Sequence, residues 1–296
     1  MKKYWLCLLV ALVLMGSAAA EEAVWSLPID FSGGAVPQES GFSESADGDG
    51  WTYEDPSIRV EVTTGWYDET EYWQADIMIA DASQLRTAAA DSFDVNMTMK
   101  GTTLAKRVHA IVAMDGDYYL YRNKGGYIIR QGQMFYNELG ATLDVLVIDE
   151  DGDFHAIPKA TRKQLDNSGM YEGKRIINSF FFGPILVMDG EIHQGGWDFA
   201  MGSEYCSQRI ALCQTGHLRY RIIATGSLKR GSKGMPLEEF RQFVASQEDV
   251  LVAYNMDGGD STMLIFNGEK INDVGNPDAR DIMDIVYFAS AYQPED

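Results

Sequence analysis

Residues 250–266 read VLVAYNMDGGDSTMLIF, and the fold turns on how the centre of this stretch, NMDGGDSTM at 255–263, is taken. The flanks are β-type runs. Two residues such as Asn-Gly or Asp-Gly suffice to join strands in a hairpin. This stretch uses two carboxylates, two glycines, an amide and two hydroxyls. It reads as strand, turn, strand, with more chemistry than a turn requires.

A second apolar strand ends in a similar cluster, AMDGDYY at 113–119. A carboxylate followed by Gly at a strand end can stand at the rim of a sheet while the strand stays buried. Placed side by side, the two ends bring Asp115, Asp117 and Asp257 into one cleft. Paired carboxylates are what glycosidic cleavage asks for: one moves a proton, the other supports the positive charge building on the sugar. Gly258 and Gly259 let backbone N–H groups approach a ligand, and Ser261 and Thr262 add donors. The plain alternative is a pair of ordinary Asp-Gly turns, which propensity alone favours.

Arginines are scarce for so many acids, yet Arg130, Arg209 and Arg280 sit in strands or beside turns. A guanidinium fork grips phosphate at two points, and a charge-assisted hydrogen bond contributes about 1.5–3 kcal/mol. Their alternative is salt-bridging to the abundant carboxylates.

Outward from these sites the chain reads as short strands with few helices. In IRVEV, Ile58, Val60 and Val62 alternate with polar residues, the period of a half-buried strand. GTTLAKRVHA at 101–110 predicts a short helix with Leu104, Val108 and Ile111 on one side. GMPLEEFRQFVASQED at 234–249 predicts another, with Pro236 and two glutamates at its start and Leu237, Phe240 and Val244 on one face. TLDVLVIDEDGDFHAI at 142–157 reads as a hairpin about Asp151-Gly152. A polar loop with Asp278 and Arg280 precedes a last strand, DIVYFAS. There is no regular βαβ alternation. The expectation is a mixed, strand-rich α+β fold: a single catalytic domain with a few helices packed on the sheet. Residues 21–84 form a β-containing N-terminal extension packed on a main domain over 85–296.

Several look-alike motifs fail on placement. GSLKRGSK at 226–233 has the lysine and serine of a phosphate loop in the wrong order. Gly259 to Met263 lacks the second glycine of a nucleophile elbow and leads into a strand. Asp149, Asp151 and Asp153 suggest a calcium loop, but the glycine falls at the fourth position and Ala160 stands where a bidentate Glu is needed. The four histidines have no zinc-ligand spacing. Cys206 and Cys213 can be read equally as a disulfide or as free thiols.

The chain has 296 residues and a formal charge of −20. So acidic a surface argues against nucleic-acid binding and against docking on anionic lipid. The start, MKKYWLCLLVALVLMGSAAAEE, has Lys2 and Lys3, a short apolar core and an Ala-x-Ala site before Glu21. It reads as a cleaved signal peptide over residues 1–20. The expectation is a secreted, envelope or periplasmic protein with no membrane insertion after cleavage.

Taken together, AMDGDYY, GGYIIRQG, FFFGPILVMDGEI, QRIALCQ and NMDGGDSTMLIFNGEKIND, with Arg280 before a last strand, resemble the phosphodiester glycosidase family. The resemblance covers roughly residues 85–290. It implies hydrolysis of a sugar-1-phosphodiester on the sugar side, acting on a phosphorylated glycan or glycosyl phosphodiester, with no cofactor indicated. Asp257, Gly258, Gly259 and Ser261 match the family's strongest motif, with Asn255 in front. Arg209 matches the arginine of a PRTAIG-like strand, Gly183-Pro184 a GP element, and Arg280 a late arginine. Departures are Asp115 where Asn is usual, Asp260 where Gly is common, Ile210 for Thr and Cys213 for Gly. The residue pattern and the resemblance, taken together, put Asp257, Asp115 and Asp117 forward for catalysis. They put Arg209, Arg280, Arg130, Asn255, Gly258, Gly259, Ser261 and Thr262 forward for substrate and phosphate, with Asp115, Asp117, Arg130 and Thr262 resting on the residue pattern alone. If Asp115 is anionic beside Asp257, one of them titrates high. Two other readings stand beside this one. The first is an envelope glycan-binding or scaffold protein that kept the fold without the reaction. The second is a metal-dependent phosphoesterase using Asp115, Asp117 and Asp257 as ligands for a divalent cation.

Overall fold

The computed structural model describes residues 25–117, 126–139, 143–195, 202–226, 231–272 and 279–294. The segment expected to be a signal peptide, Tyr118 and Tyr119, residues 227–230 of the GSLKRGSK stretch and Asp278 lie outside the described residues.

The chain opens with a meander of β1 (Phe42–Glu44), β2 (Gly50–Asp55), β3 (Ile58–Tyr67) and β4 (Thr70–Ile79), followed by β5 (Leu85–Ala89). In β3 the alternation is literal: Ile58, Val60 and Val62 are buried while Arg59, Glu61 and Thr63 face water. Helix α1 (Gly101–Arg107) leads into β6 (Ala110–Asp115). Leu104 and Val108 are buried against the β-sheet as expected. Ile111 is not on that helical face. His109 takes φ 55°, which ends the helix, and Ile111 becomes a strand residue.

Two hairpins follow, β7 (Tyr127–Arg130) with β8 (Gln133–Asn137), and β9 (Val145–Asp149) with β10 (Phe154–Ile157). Next come β11 (Met170–Tyr171), β12 (Lys174–Phe180), β13 (Ile185–Met188) and β14 (Glu191–Ile192). The long hairpin of β15 (Ile210–Gly216) and β16 (Arg219–Thr225) precedes α2 (Leu237–Ala245). Pro236 sits at the α2 N-cap, Glu238 and Glu239 lie in its first turn, and Leu237, Phe240 and Val244 are buried. The chain closes with β17 (Val252–Asn255), β18 (Leu264–Phe266), β19 (Glu269–Lys270) and β20 (Asp284–Ala289).

The strands form a large sheet ordered β1-β2-β3-β4-β16-β15-β17-β13-β14, a middle sheet β19-β18-β6-β20-β5, a small sheet β10-β9-β12-β11 and the β7-β8 pair. All neighbours are antiparallel. Among the described residues, twenty strands stand against two α-helices. The strand-rich expectation holds, while the α+β label fits only loosely, because most of the core is sheet on sheet. Val60, Ile77, Leu212 and Ile222 of the large sheet pack with Val112, Met114 and Val286 of the middle sheet and with Leu146, Ile148 and Phe180 of the small one.

Strands β1–β4 are the first four strands of the large sheet. β4 pairs with β16 from Arg219↔Met78 to Thr225↔Tyr72, and Arg221 bonds Asp76 across the seam at 2.6 Å. The segment before them is held too. Arg86, fully buried in β5, donates to the carbonyls of Pro28 (2.9 Å), Asp30 (3.0 Å) and Ser32 (2.9 Å).

The stretch 255–263 is not a hairpin. β17 belongs to the large sheet and β18 to the middle sheet, so these residues carry the chain from one to the other. Met256 N–H donates to Ile210 O at 3.0 Å on the first side, and Asp257 N–H reaches Gly116 O at 3.4 Å on the second.

Candidate active site

Where the two sheets meet, Asp115, Gly116, Asp257, Ile282, Met283 and Asp284 line one small pocket. Asp115 ends β6, Asp284 begins β20, and β20 pairs directly with β6 through Ile285↔Asp115. Asp257 hangs from the crossover and is half-buried. Asp115 and Asp257 are therefore brought together as expected, but Asp117 is not on the pocket wall: its buried carboxylate turns to Arg130 and the Phe181 N–H, and Asp284 is the third carboxylate of the pocket.

Asp115 is buried, and its Oδ1 accepts the Met263 N–H at 2.8 Å. Its Oδ2 has no hydrogen-bond partner among the described residues. Burial pushes its carboxyl well above the ordinary 3.8, and the charges of Asp257 and Asp284 push the same way. The like-charge expectation for Asp115 and Asp257 thus falls on Asp115.

Arg130, at the end of β7, lies behind the pocket. Its guanidinium is fully buried, 2.8 Å from Asp117 Oδ1 and 3.3 Å from Asp284 Oδ2. It also donates to Ser179 O and lies 4.4 Å from the centre of the Phe180 ring. Asp117 Oδ2 accepts the Phe181 N–H at 3.2 Å. One cation thus serves two buried carboxylates. For both, burial raises the pKa against the pull of Arg130, and Asp284 is pushed up to about 7. Gly116 is required beneath Asp284, since a Cβ there would lie 2.0 Å from Asp284 Oδ1.

The crossover supplies the other wall. Asn255 Nδ2 donates to Gly183 O at 2.9 Å, beside the cis Gly183-Pro184 bond, while its Oδ1 has no partner among the described residues. Gly258 passes so close to Gln208 that a Cβ would sit 3.0 Å from its carbonyl oxygen. Gly259 adopts φ 63° and donates to the same oxygen at 3.0 Å. The hydroxyls of Ser261 and Thr262 are buried and have no partner among the described residues. Buried polar groups are nearly always paired, so these unpaired ones set the crossover apart from the rest of the core.

The expected arginines part company. Arg130 and Arg209 do not present a free fork to a phosphate. Arg130 is committed to carboxylates. Arg209 donates to the carbonyls of Gly202 (2.8 Å), Tyr205 (2.9 Å) and Met235 (3.1 Å) and clasps the loops beside Gln208. Arg280 is exposed, and its N–H donates to the Asp260 carbonyl at 3.0 Å, which sets it beside the crossover. Asp260 itself faces solvent. Asp284 was not expected from the sequence. The signal for it is an acid heading the otherwise apolar strand DIVYFA.

No group of three or more His, Cys, Asp or Glu among the described residues is arranged to hold a metal ion. In the calcium-loop look-alike, Lys174 Nζ lies 3.0 Å from Asp149 Oδ2 and from Asp151 Oδ2. Cys206 and Cys213 are free thiols, and Cys213 is buried. No helix among the described residues is long and apolar enough to cross a membrane.

A β-rich fold with carboxylates of raised pKa gathered where two sheets meet has the layout of an acid–base site. The chain belongs to the phosphodiester glycosidase family, whose sequence pattern matches residues 108–289. Among solved structures it is similar to the zebrafish N-acetylglucosamine-1-phosphodiester α-N-acetylglucosaminidase catalytic domain, auto-inhibited by its pro-peptide. The two share 18% identity over 91% of this chain and 98% of that one, with a TM-score of 0.62. A hypothetical protein from Synechocystis is similar at 15% identity over 78% of this chain, with a TM-score of 0.52. The match spans 62% of the Synechocystis protein's length. No curated protein matches the chain.

Proposed function

We propose that the chain is an exported hydrolase of glycosyl-1-phosphodiesters, cleaving the bond between the sugar and the phosphate. The observation that carries this reading is the shared pocket of Asp115, Asp257 and Asp284, with Asp115 Oδ2 unpartnered among the described residues. Family membership supplies the reaction class, and the signal-like start at 1–20 supports export.

In this reading Asp257, the least buried of the three, acts as the carboxylate. It supports the oxocarbenium-like sugar and takes a proton from the attacking water. The water oxygen bonds to the anomeric carbon as the carbon–oxygen bond to phosphate breaks. The bonding pair leaves with the phosphate oxygen. A phosphate needs little help as a leaving group, so a proton held on Asp115 serves chiefly to hydrogen-bond that oxygen and to reduce repulsion of an anionic substrate. In this reading Arg280, exposed and tied by its backbone to the crossover, is the cation that meets the phosphate. Asn255, Gly258, Gly259, Ser261 and Thr262 shape and line the approach.

The test is release of free sugar from a sugar-1-phosphate diester. The wild-type chain releases sugar and phosphomonoester, and Asp257→Asn is nearly inactive. Equal turnover by both removes Asp257 from the mechanism. Binding of the diester without turnover by the wild type favours the glycan-binding reading.

A further inference from the structure

A second cleft, of about 360 Å3, opens between the outermost hairpins of two sheets. β1 is the edge strand of the large sheet and β19 the edge strand of the middle sheet. Phe42, Glu44 and Trp51 line one wall, and Phe266, Asn267 and Glu269 the other. The first wall lies before the family match at 108–289, the second inside it. Phe42 and Glu44 share a face of β1, and Glu44 stands directly opposite Trp51. The Phe42 ring meets Phe266 edge-on at 5.5 Å, which closes the cleft floor. Trp51 is half-buried and has no ring partner among the described residues.

We propose that this cleft binds a neutral saccharide, as a subsite separate from the carboxylate pocket. A sugar ring has a C–H face that suits the electron-rich face of an aromatic ring, and a rim of hydroxyls that seek carboxylate and amide partners. Trp51 supplies the face. Glu44 and Asn267, both exposed and without side-chain partners among the described residues, supply the rim. Glu269 is held by Lys106 at 2.6 Å. The two glutamates and the chain's charge of −20 disfavour an anionic ligand. A greasy partner finds little to cover, because Phe42 and Phe266 already pack on each other. The volume falls in the range of small-ligand sites, about 300–1,000 Å3.

The experiment uses the full chain carrying Asp257→Asn, so that binding is read without turnover. It is applied to an array of neutral, N-acetylated and acidic oligosaccharides. Neutral or N-acetylated glycans should be retained, and Trp51→Ala should weaken them by roughly tenfold, about 1.4 kcal/mol. Trp51→Tyr, which keeps a flat ring, and Glu44→Gln, at an exposed position, separate recognition from folding. The first should retain binding and the second should reduce it. Retention of acidic glycans only, no retention of any glycan, or retention unchanged by Trp51→Ala and Glu44→Gln overturns the proposal. If glycans bind while sugar release fails, the subsite stands without the reaction. If release proceeds and no glycan binds, only the subsite falls.

Discussion

Asp284→Asn tests the electrostatics of the pocket with little change of shape. The amide oxygen can still accept from Arg130, while the titrating group is gone. In the folded chain burial pushes Asp284 up to about 7 from an ordinary 3.8. At about 1.36 kcal/mol per pH unit, that gap is worth roughly 4 kcal/mol. The fold prefers the protonated form. Its contribution is therefore fully present below 3.8 and is lost as pH rises through about 7. Asp284→Asn removes this loss. Below about pH 3.8 the two chains should unfold alike, and the gap should open progressively between 3.8 and about 7. At about pH 8 the variant should be more stable by up to roughly 4 kcal/mol, a rise in melting temperature on the order of 10 °C. Urea unfolding across this pH range, followed by tryptophan fluorescence, reads the difference directly. Under the proposed mechanism the gain in stability comes with lost turnover, as at other strained sites. Parallel stability curves for the two chains, or a variant weaker at alkaline pH, refute the reasoning.

Gly116→Ala places a methyl 2.0 Å from Asp284 Oδ1 and should cost about 1–3 kcal/mol, with part recovered in the double variant with Asp284→Ala; additive losses in unfolding experiments count against the contact. Arg209→Lys cannot span three carbonyls with one ammonium, so it should lower stability by about 1–3 kcal/mol and disturb the Gln208–Gly259 contact; an unchanged melting midpoint refutes the clasp. In the chain from residue 21 onward, a thiol reagent should label Cys206 in the native state and Cys213 only on unfolding, because burial pushes the Cys213 thiol up to about 12. A chelator should leave sugar release unchanged; its loss, restored by a divalent cation, favours the metal-dependent phosphoesterase.

Local patterns were readable wherever one chain segment decides its own structure. The alternation in β3, the Asp151-Gly152 hairpin and the polar start of α2 all follow from residues a few positions apart. The meeting of Asp115 with Asp257 was readable because both strands announce their ends with Asp-Gly. Asp284 was not, since a lone acid at the head of a strand resembles many others until β20 is seen beside β6. Arg130 and Arg209 misled for a related reason. A sequence shows a guanidinium but not its depth, and depth turned one to buried carboxylates and the other to carbonyls. The crossover read as a turn because nothing local says that β17 and β18 belong to different sheets.

The seam between β4 and β16 has a consequence for how the chain is made. Its two sides are separated by more than a hundred residues of sequence. At about 5–20 residues per second of synthesis, β4 waits on the order of ten seconds for its neighbour. An apolar edge exposed that long invites pairing with other nascent chains. Glu71 and Asp76 put two carboxylates on β4, and charge along an edge strand discourages such pairing. In the finished sheet Arg221 of β16 bonds to Asp76, so the carboxylate that charges the open edge is the one its rightful neighbour neutralises.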